Sequence, residues 1–563
     1  MPQLHRVASL SCLALVCHAA HANGPLLGNP VDQIPQLQHA QPQQPPARLQ
    51  MPDRQQAAVI GKLQQRITPR HFDVRGSTAI PFEQITDILT PLSGQEMTVG
   101  QLIQHVNRIT ALYQQAGYPL SFALLQEQKF DEGRVHVTVV EGHINALRIE
   151  GDAGGAERRL HALAGPLLEE KPLTRATLER VLNLMRSVPG VRFTPRLDMP
   201  TRADGRTELV LDTVHQAIQL SAGAADLGTG TQGLVTITSS SLTPLGEQVK
   251  LTAAVPARRD DVRYISGTVS IPLGNDGLAL EVDGYAYRST PSEKVFTSFD
   301  RTIDNRRLGI GLSYPIVLNN AHMLKASVGA YVTHSEDQYH NPDNNIWLRE
   351  EARLRVARLG LQYTGRSETQ SRRISLDVYK GVDGLGARKN TLSDRGELAA
   401  PPYDLDFTRY ALSLAQEVSL PAQFGAILTA TGQYSSDILP SSEQISFGAW
   451  RHALGYPQGD QGGDKGYGAS LELNRRISLG YSYLSSLQPY VMIEHAKAWY
   501  NRPELKEFGG RNLSSVALGL KISDDKRYVL DLNVARPVGD RPQNSDRRKL
   551  RFNANYALFY DGF

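Results

Sequence analysis

Few side chains in this sequence have the types and spacing that catalysis would require. Gly228, Gly230 and Gly233 match the spacing of a dinucleotide-binding loop, but such a loop binds phosphate only between a strand and a helix. Here it connects two predicted strands, so we interpret it as a hairpin turn. The sequence also contains no Gly-x-Ser-x-Gly elbow, no His-Glu-x-x-His pair and no Walker loop.

Asp337, His340 and Asp343 carry oxygen and nitrogen atoms of the kind that bind metals. Their spacing differs from that of a calcium loop, so a solvated loop is the favoured interpretation. We therefore expect no enzyme, no cofactor and no metal.

Length and charge exclude several classes of protein. The 563 residues are enough for three or four domains at roughly 100–200 residues each. There are 60 Lys and Arg against 57 Asp and Glu, a formal net charge of +3, so no charge excess predicts a nucleic-acid partner. The mean hydropathy of -0.33 argues against a helical membrane protein, but strands that alternate in polarity barely raise hydropathy.

The first 22 residues have the plan of a secretory signal peptide. Arg6 precedes the apolar run from Val7 to Cys17, and Ala20-His21-Ala22 follows as a small-x-small cleavage site. The run is too short to cross about 30 Å of hydrocarbon. Both cysteines, Cys12 and Cys17, lie inside this peptide, so the mature chain has none. The lack of cysteine in the mature chain excludes disulfides and cysteine nucleophiles, and it fits an exported bacterial envelope protein.

Residues 23–65 are rich in Pro and Gln and are interpreted as an N-terminal segment and linker. Two units with the order strand, helix, helix, strand, strand follow, over 66–142 and 143–215. In the first unit, the predicted elements are His71–Val74, Phe82–Leu89, a helix from a Thr98 cap to Gly117, Ala123–Gln128 and Arg134–Val140. In the second they are Ala146–Glu150, Arg158–Leu168, Thr174–Arg186, Val191–Asp198 and Thr207–Asp212.

Residues 216–563 predict an all-β region, because apolar and small or charged residues alternate along segment after segment. Alternation alone fits a sandwich or a membrane barrel. Sixteen segments at about 22 residues each favour a barrel, since barrels have even strand numbers and strands of roughly 9–11 residues. The predicted strands begin near Gln219, Leu234, Gln248, Tyr264, Leu278, Arg307, Leu324, Ala352, Ile374, Thr408, Ala426, Tyr467, Tyr490, Val516, Tyr528 and Leu550.

Long polar stretches separate some of these strands, and short turns separate others. Ser289–Asn305, Ser335–Trp347 and Lys380–Asp404 are predicted as long outer loops. The chain ends on the aromatic Phe563, which is typical of the terminal strand that barrel-assembly machinery reads. The fold expected from the sequence is therefore a tandem of α+β units followed by a 16-stranded transmembrane β-barrel, with outer-membrane lipid around it.

Several local motifs resemble those of the outer-membrane transporters of two-partner secretion, the hemolysin and filamentous-hemagglutinin exporters of the Omp85 superfamily. The first unit carries Val74-Arg75-Gly76-Ser77-Thr78 and Val139-Val140-Glu141-Gly142, and the second carries Leu178-Glu179-Arg180 and Pro189-Gly190-Val191. The resemblance implies that these units are polypeptide-transport-associated (POTRA) domains in the periplasm of a Gram-negative cell.

The most specific resemblance lies in the segment Phe447–Pro457, followed by Gly463-Asp464-Lys465-Gly466. In the family, this place holds a Val-Arg-Gly-Tyr type motif on a loop that folds back into the barrel, so we expect an inward loop over residues 435–466. The family's Arg is replaced here by Leu454, which is followed by Gly455, Tyr456 and Pro457.

In the family, a second motif places a carboxylate on the thirteenth strand. The Arg of the loop motif binds this carboxylate inside the barrel. Here that carboxylate is Glu494. Two interpretations stay open. Either Arg451, three residues before Leu454, pairs with Glu494 through a charge-assisted bond, or Arg451 is solvated and Tyr456 and backbone bonds hold the loop.

The resemblance implies a pore that exports one large, unfolded exoprotein after the POTRA domains capture it. An unfolded chain can add a strand to an exposed sheet edge, and the candidate edge contains Ala123, Leu124, Leu125 and Gln126. The alternatives are an assembly factor of the same superfamily, which would insert other barrels, and a diffusion porin, which would not need the periplasmic pair.

Overall fold

The computed structural model describes residues 63–561 except 127, 227–230, 257–261, 291–299, 344, 450 and 544–546. The predicted signal peptide, most of the predicted linker, Gly228, Gly230 and Phe563 lie outside the described residues. In the part of the chain that is described, no helix is both long enough and apolar enough to cross a bilayer.

The first α+β unit packs two helices on a three-stranded sheet. Its order is β2-β5-β4, with β5 parallel to β2 and antiparallel to β4. Apolar residues at helical spacing on α2, from Val99 to Tyr113, face this sheet and are buried. The elements are β1 Arg66–Ile67, β2 His71–Arg75, α1 Phe82–Leu89, β3 Met97–Thr98, α2 Val99–Gln115, β4 Phe122–Leu125 and β5 Arg134–Val140.

The predicted Thr98 cap is confirmed. The Thr98 side chain accepts from Gln101 N–H, and the Gln101 side chain accepts from Thr98 N–H, which is a capping box. Strand β4 ends at Leu125, whereas the sequence predicted a strand to Gln128. The Gln128 side chain explains the difference, because its amide bonds both backbone groups of His136 on β5 and takes the place of a strand there.

Glu141 joins the two ends of the first unit. Its Oε1 accepts the backbone N–H groups of Thr78 and Ala79, each at 2.7 Å, and the Tyr113 hydroxyl at 2.8 Å. The Thr78 hydroxyl donates to Oε2. Burial raises the pKa of Glu141, but the hydrogen bonds, led by that of the Thr78 side chain, outweigh burial and leave the pKa below its ordinary value.

This arrangement predicts an acid-sensitive first unit. Because the folded-state pKa of Glu141 is lowered, its stabilisation is present above the unfolded carboxyl pKa of about 4.3 and is lost as pH falls through the folded value. Hydrogen exchange of the Thr78 and Ala79 amides in the full-length protein, corrected for intrinsic rate, should show this. Glu141→Gln should cost about 1–2 kcal/mol of local stability at pH 7, whereas the exposed control Glu83→Gln should not. Equal protection in both variants would contradict the role of Glu141.

The second unit repeats the topology of the first. Its sheet order is β6-β8-β7, with β8 parallel to β6 and antiparallel to β7. The predicted single helix Arg158–Leu168 is wrong, because α3 ends at Leu163 and a new helix begins at Gly165. Pro166, in the first turn of that new helix, lacks the N–H that a continuous helix needs. The elements are β6 His143–Gly151, α3 Glu157–Leu163, α4 Gly165–Glu169, α5 Arg175–Arg186, β7 Val191–Leu197 and β8 Arg206–His215.

The two units are in direct contact. Leu120 of the first unit is 1% exposed and packs in the core of the second. Two backbone bonds cross the junction, from Leu173 N–H to the Gly142 carbonyl at 3.0 Å and from Arg175 N–H to the Gly117 carbonyl at 2.8 Å. A shared core and shared backbone bonds fix the relative orientation of the two units.

The all-β region closes into a barrel of sixteen antiparallel strands, in which β29 pairs with β9. Every predicted strand start falls on or next to one of them. The strands are β9 Ile218–Asp226, β10 Thr231–Ser240, β11 Gln248–Pro256, β12 Val262–Leu273, β13 Leu278–Ser289, β14 Asp300–Leu318, β15 His322–Asn341, β16 Ile346–Arg366, β17 Gln370–Gly381, β20 Thr408–Ser419, β21 Phe424–Tyr434, β24 Lys465–Arg475, β26 Leu484–Trp499, β27 Leu513–Ser523, β28 Tyr528–Pro537 and β29 Arg551–Asp561.

Among the described residues of the all-β region, five short strands accompany these sixteen. Strand β18 Arg388–Ser393 pairs with the first part of β16, and β19 Gly396–Leu398 pairs with β18. Strands β22 Ile445–Phe447 and β23 Gln461–Gly463 form a separate hairpin. Strand β25 Ile477–Tyr481 pairs with the start of β26. The predicted outer loop Ser335–Trp347 is wrong, since β15 and β16 continue through most of it. Asp337, expected in that loop, is on β15 and binds Arg301 at 2.6 Å.

The outer face of the barrel is apolar. Along β14, the side chains of Leu308 and Ile310 are 59% and 57% exposed, and Leu518 on β27 is 64% exposed. Residues that alternate with the apolar ones along each strand face inward and are small or polar. One example on β14 is Ser313, whose hydroxyl donates to Glu281 on the neighbouring strand at 2.9 Å. An apolar exterior around a polar interior is stable in a bilayer and not in water.

The second unit contacts one end of the barrel through α5. Arg180 Nη2 lies 2.7 Å from Asp276 Oδ1 and 3.1 Å from the Tyr314 hydroxyl, and Tyr314 also donates to Asp276. Asn183 Nδ2 donates to Asn320 at 3.0 Å. The helix therefore contacts two neighbouring turns of the barrel rim, which places both α+β units on the same side of the membrane.

Candidate functional site

A long connection between β21 and β24 folds into the barrel from the end opposite to the α+β units. Residues 435–464 form it, so Lys465 and Gly466 of the predicted loop belong to β24. The hairpin of β22 and β23 leads into a tip whose side chains are shielded from solvent, and Ala449, Ala453 and Tyr456 are each 0% exposed. We call residues 435–464 the inward loop.

Glu494 on β26 binds the tip of the inward loop. Its Oε2 accepts the backbone N–H of Leu454 at 2.6 Å and the Ser515 hydroxyl at 2.6 Å, and its Oε1 accepts the Ser470 hydroxyl at 3.2 Å. The side chain is 6% exposed. The loop therefore reaches this carboxylate through its main chain at Leu454, the position where the family has Arg.

The side chain of Leu454 has an apolar role. It is 8% exposed and packs against Ala517, Ala535 and Met492 on the wall. Arg451 lies at the turn of the tip, where its backbone exchanges bonds with Gly448. The pairing of Arg451 with Glu494 stays a prediction, and the bond from Leu454 N–H is a contact that sequence reasoning missed. No sequence signal could have found it, because every residue except Pro carries this donor.

Gly455, Tyr456 and Pro457 hold the tip against the last strands. The Tyr456 hydroxyl donates to the Asp540 carbonyl at 2.8 Å. A Cβ on Gly455 would lie 2.7 Å from the backbone of Arg536, so only glycine fits there. The Pro457 carbonyl accepts from Asp460 N–H at 3.3 Å and closes the turn.

The base of the inward loop is organised by Asp464, which is 0% exposed. Its Oδ1 accepts Leu439 N–H at 2.9 Å, and its Oδ2 accepts Asn501 N–H at 2.7 Å. Gly463 and Gly466 lie beside β26, and a Cβ on either would meet its backbone at 2.4 or 2.7 Å. The carboxylate thus ties the two ends of the loop to each other and to the segment that follows β26.

Two further side chains of the loop contact the wall and were not predicted. His452 Nδ1 lies 2.7 Å from the Ser470 hydroxyl, and its Nε2 lies 3.1 Å from the Thr431 hydroxyl. Asp460 lies 3.2 Å from Arg511 Nη1. The tip therefore has partners on β21, β24, β26, β27, β28, β29 and β9, so the loop occupies the lumen along that arc.

The candidate edge for substrate binding lies on β4, which is an edge strand. Ala123 is 5% exposed, and its N–H bonds the Thr110 hydroxyl of α2 at 3.0 Å. Leu124 and Leu125 are half-buried, and Gln126 is exposed. The helix thus covers the start of this edge, and its open part begins at Leu125.

The apolar exterior, the lumenal loop and the two α+β units define an outer-membrane β-barrel transporter whose α+β units lie in the periplasm. Residues 216–522 match the family of the haemolysin secretion/activation proteins ShlB, FhaC and HecB, and residues 67–142 match the ShlB-type POTRA domain. The chain belongs to this family of two-partner secretion transporters.

Individual relatives agree with this family. The heme/hemopexin transporter protein HuxB of Haemophilus influenzae is 20% identical over 505 residues, which cover 84% of each chain. The outer membrane transporter CdiB of Dickeya dadantii is 23% identical over 387 residues, 66% of each chain. The structure of CdiB from Escherichia coli matches with a TM-score of 0.66 and 19% identity, covering 88% of this chain and 91% of that one.

Proposed function

We propose that this chain captures one large exoprotein in the periplasm and exports it, unfolded, through a barrel that the inward loop closes at rest. The observation that carries the proposal is the loop itself, which lies in the lumen and contacts the wall through buried polar bonds at Glu494 and Asp464. Bonds of this kind hold a closed state, and they can break and re-form because each contributes only about 1.5–3 kcal/mol.

Capture is assigned to the open edge of β4. An extended chain can pair with the backbone of Leu125 and Gln126, and the neighbouring half-buried apolar side chains provide contacts for alternate residues. Ala123 and Leu124 then support the edge, since Ala123 already bonds α2. Main-chain pairing suits an unfolded substrate because it requires little sequence specificity.

The remaining partners follow from the same proposal. HuxB is a heme/hemopexin transporter by name. The cargo proposed for the present chain is one large secreted protein. The apolar belt contacts outer-membrane lipid, and the barrel-assembly machinery recognises the C-terminal end of the sequence, which includes Phe563. Transport of an unfolded chain needs no catalytic residue, cofactor or metal, so we propose no enzymatic activity, and we propose no nucleic-acid partner.

Deleting the gene and comparing proteomes would test this function. We expect one large exoprotein to disappear from the culture supernatant and to return when the wild-type gene is restored. Loss of many barrels from the outer membrane would instead indicate an assembly factor. An unchanged supernatant with reduced uptake of small solutes would indicate a diffusion porin. Either of these two outcomes would overturn the export function.

The capture edge predicts a selective effect of Leu125→Pro. In an antiparallel pair, alternate residues face the partner strand, and since Ala123 N–H faces α2, Leu125 N–H faces outward. Proline there removes the outward donor and leaves pairing with β5 in place. We expect the exported protein to fall about fivefold, the ratio for one hydrogen bond of about 1 kcal/mol. Leu125→Ala keeps the donor and is the matched control, and an equal fall in both variants would contradict capture by this edge.

A further inference from the structure

Glu443 provides the inward loop with a second attachment, far along the wall from Glu494. It ends a single helical turn, Ser441–Glu443, just before β22, and it is 5% exposed. Its Oε2 lies 2.9 Å from Arg409 Nη2 on β20. The Tyr331 hydroxyl on β15 donates to the two carboxylate oxygens at 3.0 and 2.9 Å.

The partners of Glu443 are themselves held in place. The Arg409 guanidinium lies 3.8 Å from the ring centre of Tyr379, and the Arg307 guanidinium lies 3.9 Å from that of Tyr331. Gln433 accepts from Arg409 Nη1 at 3.1 Å and donates to the Glu443 carbonyl at 3.0 Å. Cations above aromatic rings and a bridging amide leave the carboxylate one favourable position.

The two attachments act on different parts of the loop. Glu494 binds the tip at Leu454 from β26, whereas Arg409 and Tyr331 bind the base from β20 and β15. Strands β15 and β26 are the seventh and thirteenth of the sixteen, so the loop is fixed to two well-separated arcs of the wall. The tip alone can leave its contacts by a local movement, but the whole loop can leave the lumen only if Glu443 is also released.

We infer that Glu443 is a positioning residue that, through Arg409 and Tyr331, holds the base of the inward loop in the barrel and so sets how often the pore opens. The inference rests on the proposed function, in which this loop closes the pore. A buried ion pair suits such a role, because its formation depends on geometry and removal of one partner leaves the other charge uncompensated.

The test measures exposure of the loop with a reporter thiol. Ser446 on β22 is 3% exposed, and the natural cysteines lie in the predicted signal peptide, so Ser446→Cys introduces a single thiol. Intact cells are treated with a membrane-impermeant maleimide. In this background we expect Glu443→Gln to raise the labelling rate at least about tenfold. Tyr331→Phe, which removes only the hydroxyl, should raise it less. Labelling at the parental rate in both variants would overturn the inference.

Two comparisons separate an anchor from general loosening. Because Arg409 acts through Glu443, Arg409→Gln combined with Glu443→Gln should label no faster than Glu443→Gln alone; additive effects would overturn the inference. Glu472→Gln is the matched control, since it breaks a buried pair with Lys521 that includes no loop residue. An equal increase in that control would also overturn it. Labelling reports the anchor whether or not export occurs, so the gene-deletion experiment can fail independently.

Discussion

Glu494→Asp is expected to release the tip of the inward loop, although the carboxylate is kept. Removing one methylene withdraws the carboxylate by about 1.5 Å, and the bond from Leu454 N–H, now 2.6 Å long, would exceed hydrogen-bonding distance. A buried N–H group without a partner costs about 1–3 kcal/mol. In planar bilayers we therefore expect the open fraction of single channels to rise about fivefold or more.

Glu494→Gln is the matched control for this prediction. It keeps an acceptor at the same reach for Leu454 N–H, and its amide can donate to the Ser470 hydroxyl, which now lies 3.2 Å from the carboxylate. We expect its conductance to stay close to that of the wild type. The opposite result is an unchanged open fraction in Glu494→Asp and a raised open fraction in Glu494→Gln. It would show that the charge of residue 494 matters and the length of its side chain does not.

Gly455→Ala should displace the tip by a steric route. The new Cβ would lie 2.7 Å from the backbone carbon of Arg536 and from the backbone nitrogen of Pro537, and neither atom can move without distorting β28. Overpacking of this kind costs about 1–3 kcal/mol. Hydrogen exchange of residues 448–460 in the full-length protein should rise accordingly.

Gly432→Ala on β21 is the matched control for Gly455→Ala. Its Cβ would meet nothing closer than 3.9 Å, at the Gly466 carbonyl, so exchange of the tip should be unchanged. Tip exchange that is the same in both alanine variants would mean that Gly455 is not needed for close contact with the wall.

The periodicity of the sequence predicted the barrel well because the bilayer imposes it. Leu308, Ile310 and Leu518 face lipid, and the residues between them face the lumen, so every second position is apolar wherever hydrocarbon surrounds the strand. Where a strand extends beyond the bilayer, an apolar residue at every second position is no longer required. Residues Ser335–Asn341 continue β15 as half-buried or buried positions with polar side chains, such as Asp337 in its pair with Arg301, and this polar composition predicted a loop.

The contacts of the inward loop were predicted less completely. The residue pattern around Gly455 and Tyr456 placed the loop between the correct strands, and the thirteenth strand does carry Glu494. The partner of that carboxylate is a main-chain N–H, which leaves no mark on the sequence. The ion pair of Glu443 with Arg409 joins residues on separate elements, and no spacing rule links them.

The tip of the inward loop also touches both strands at the closing seam of the barrel. Ala449 packs against Ala225 on β9, and the Leu454 carbonyl lies 3.4 Å from Asn553 Nδ2 on β29. The first and last strands of the ring pair with each other here, and a segment from the middle of the chain bridges them. Occlusion of the lumen and integrity of the circumference are therefore thermodynamically coupled, and by reciprocity whatever weakens one weakens the other by the same free energy.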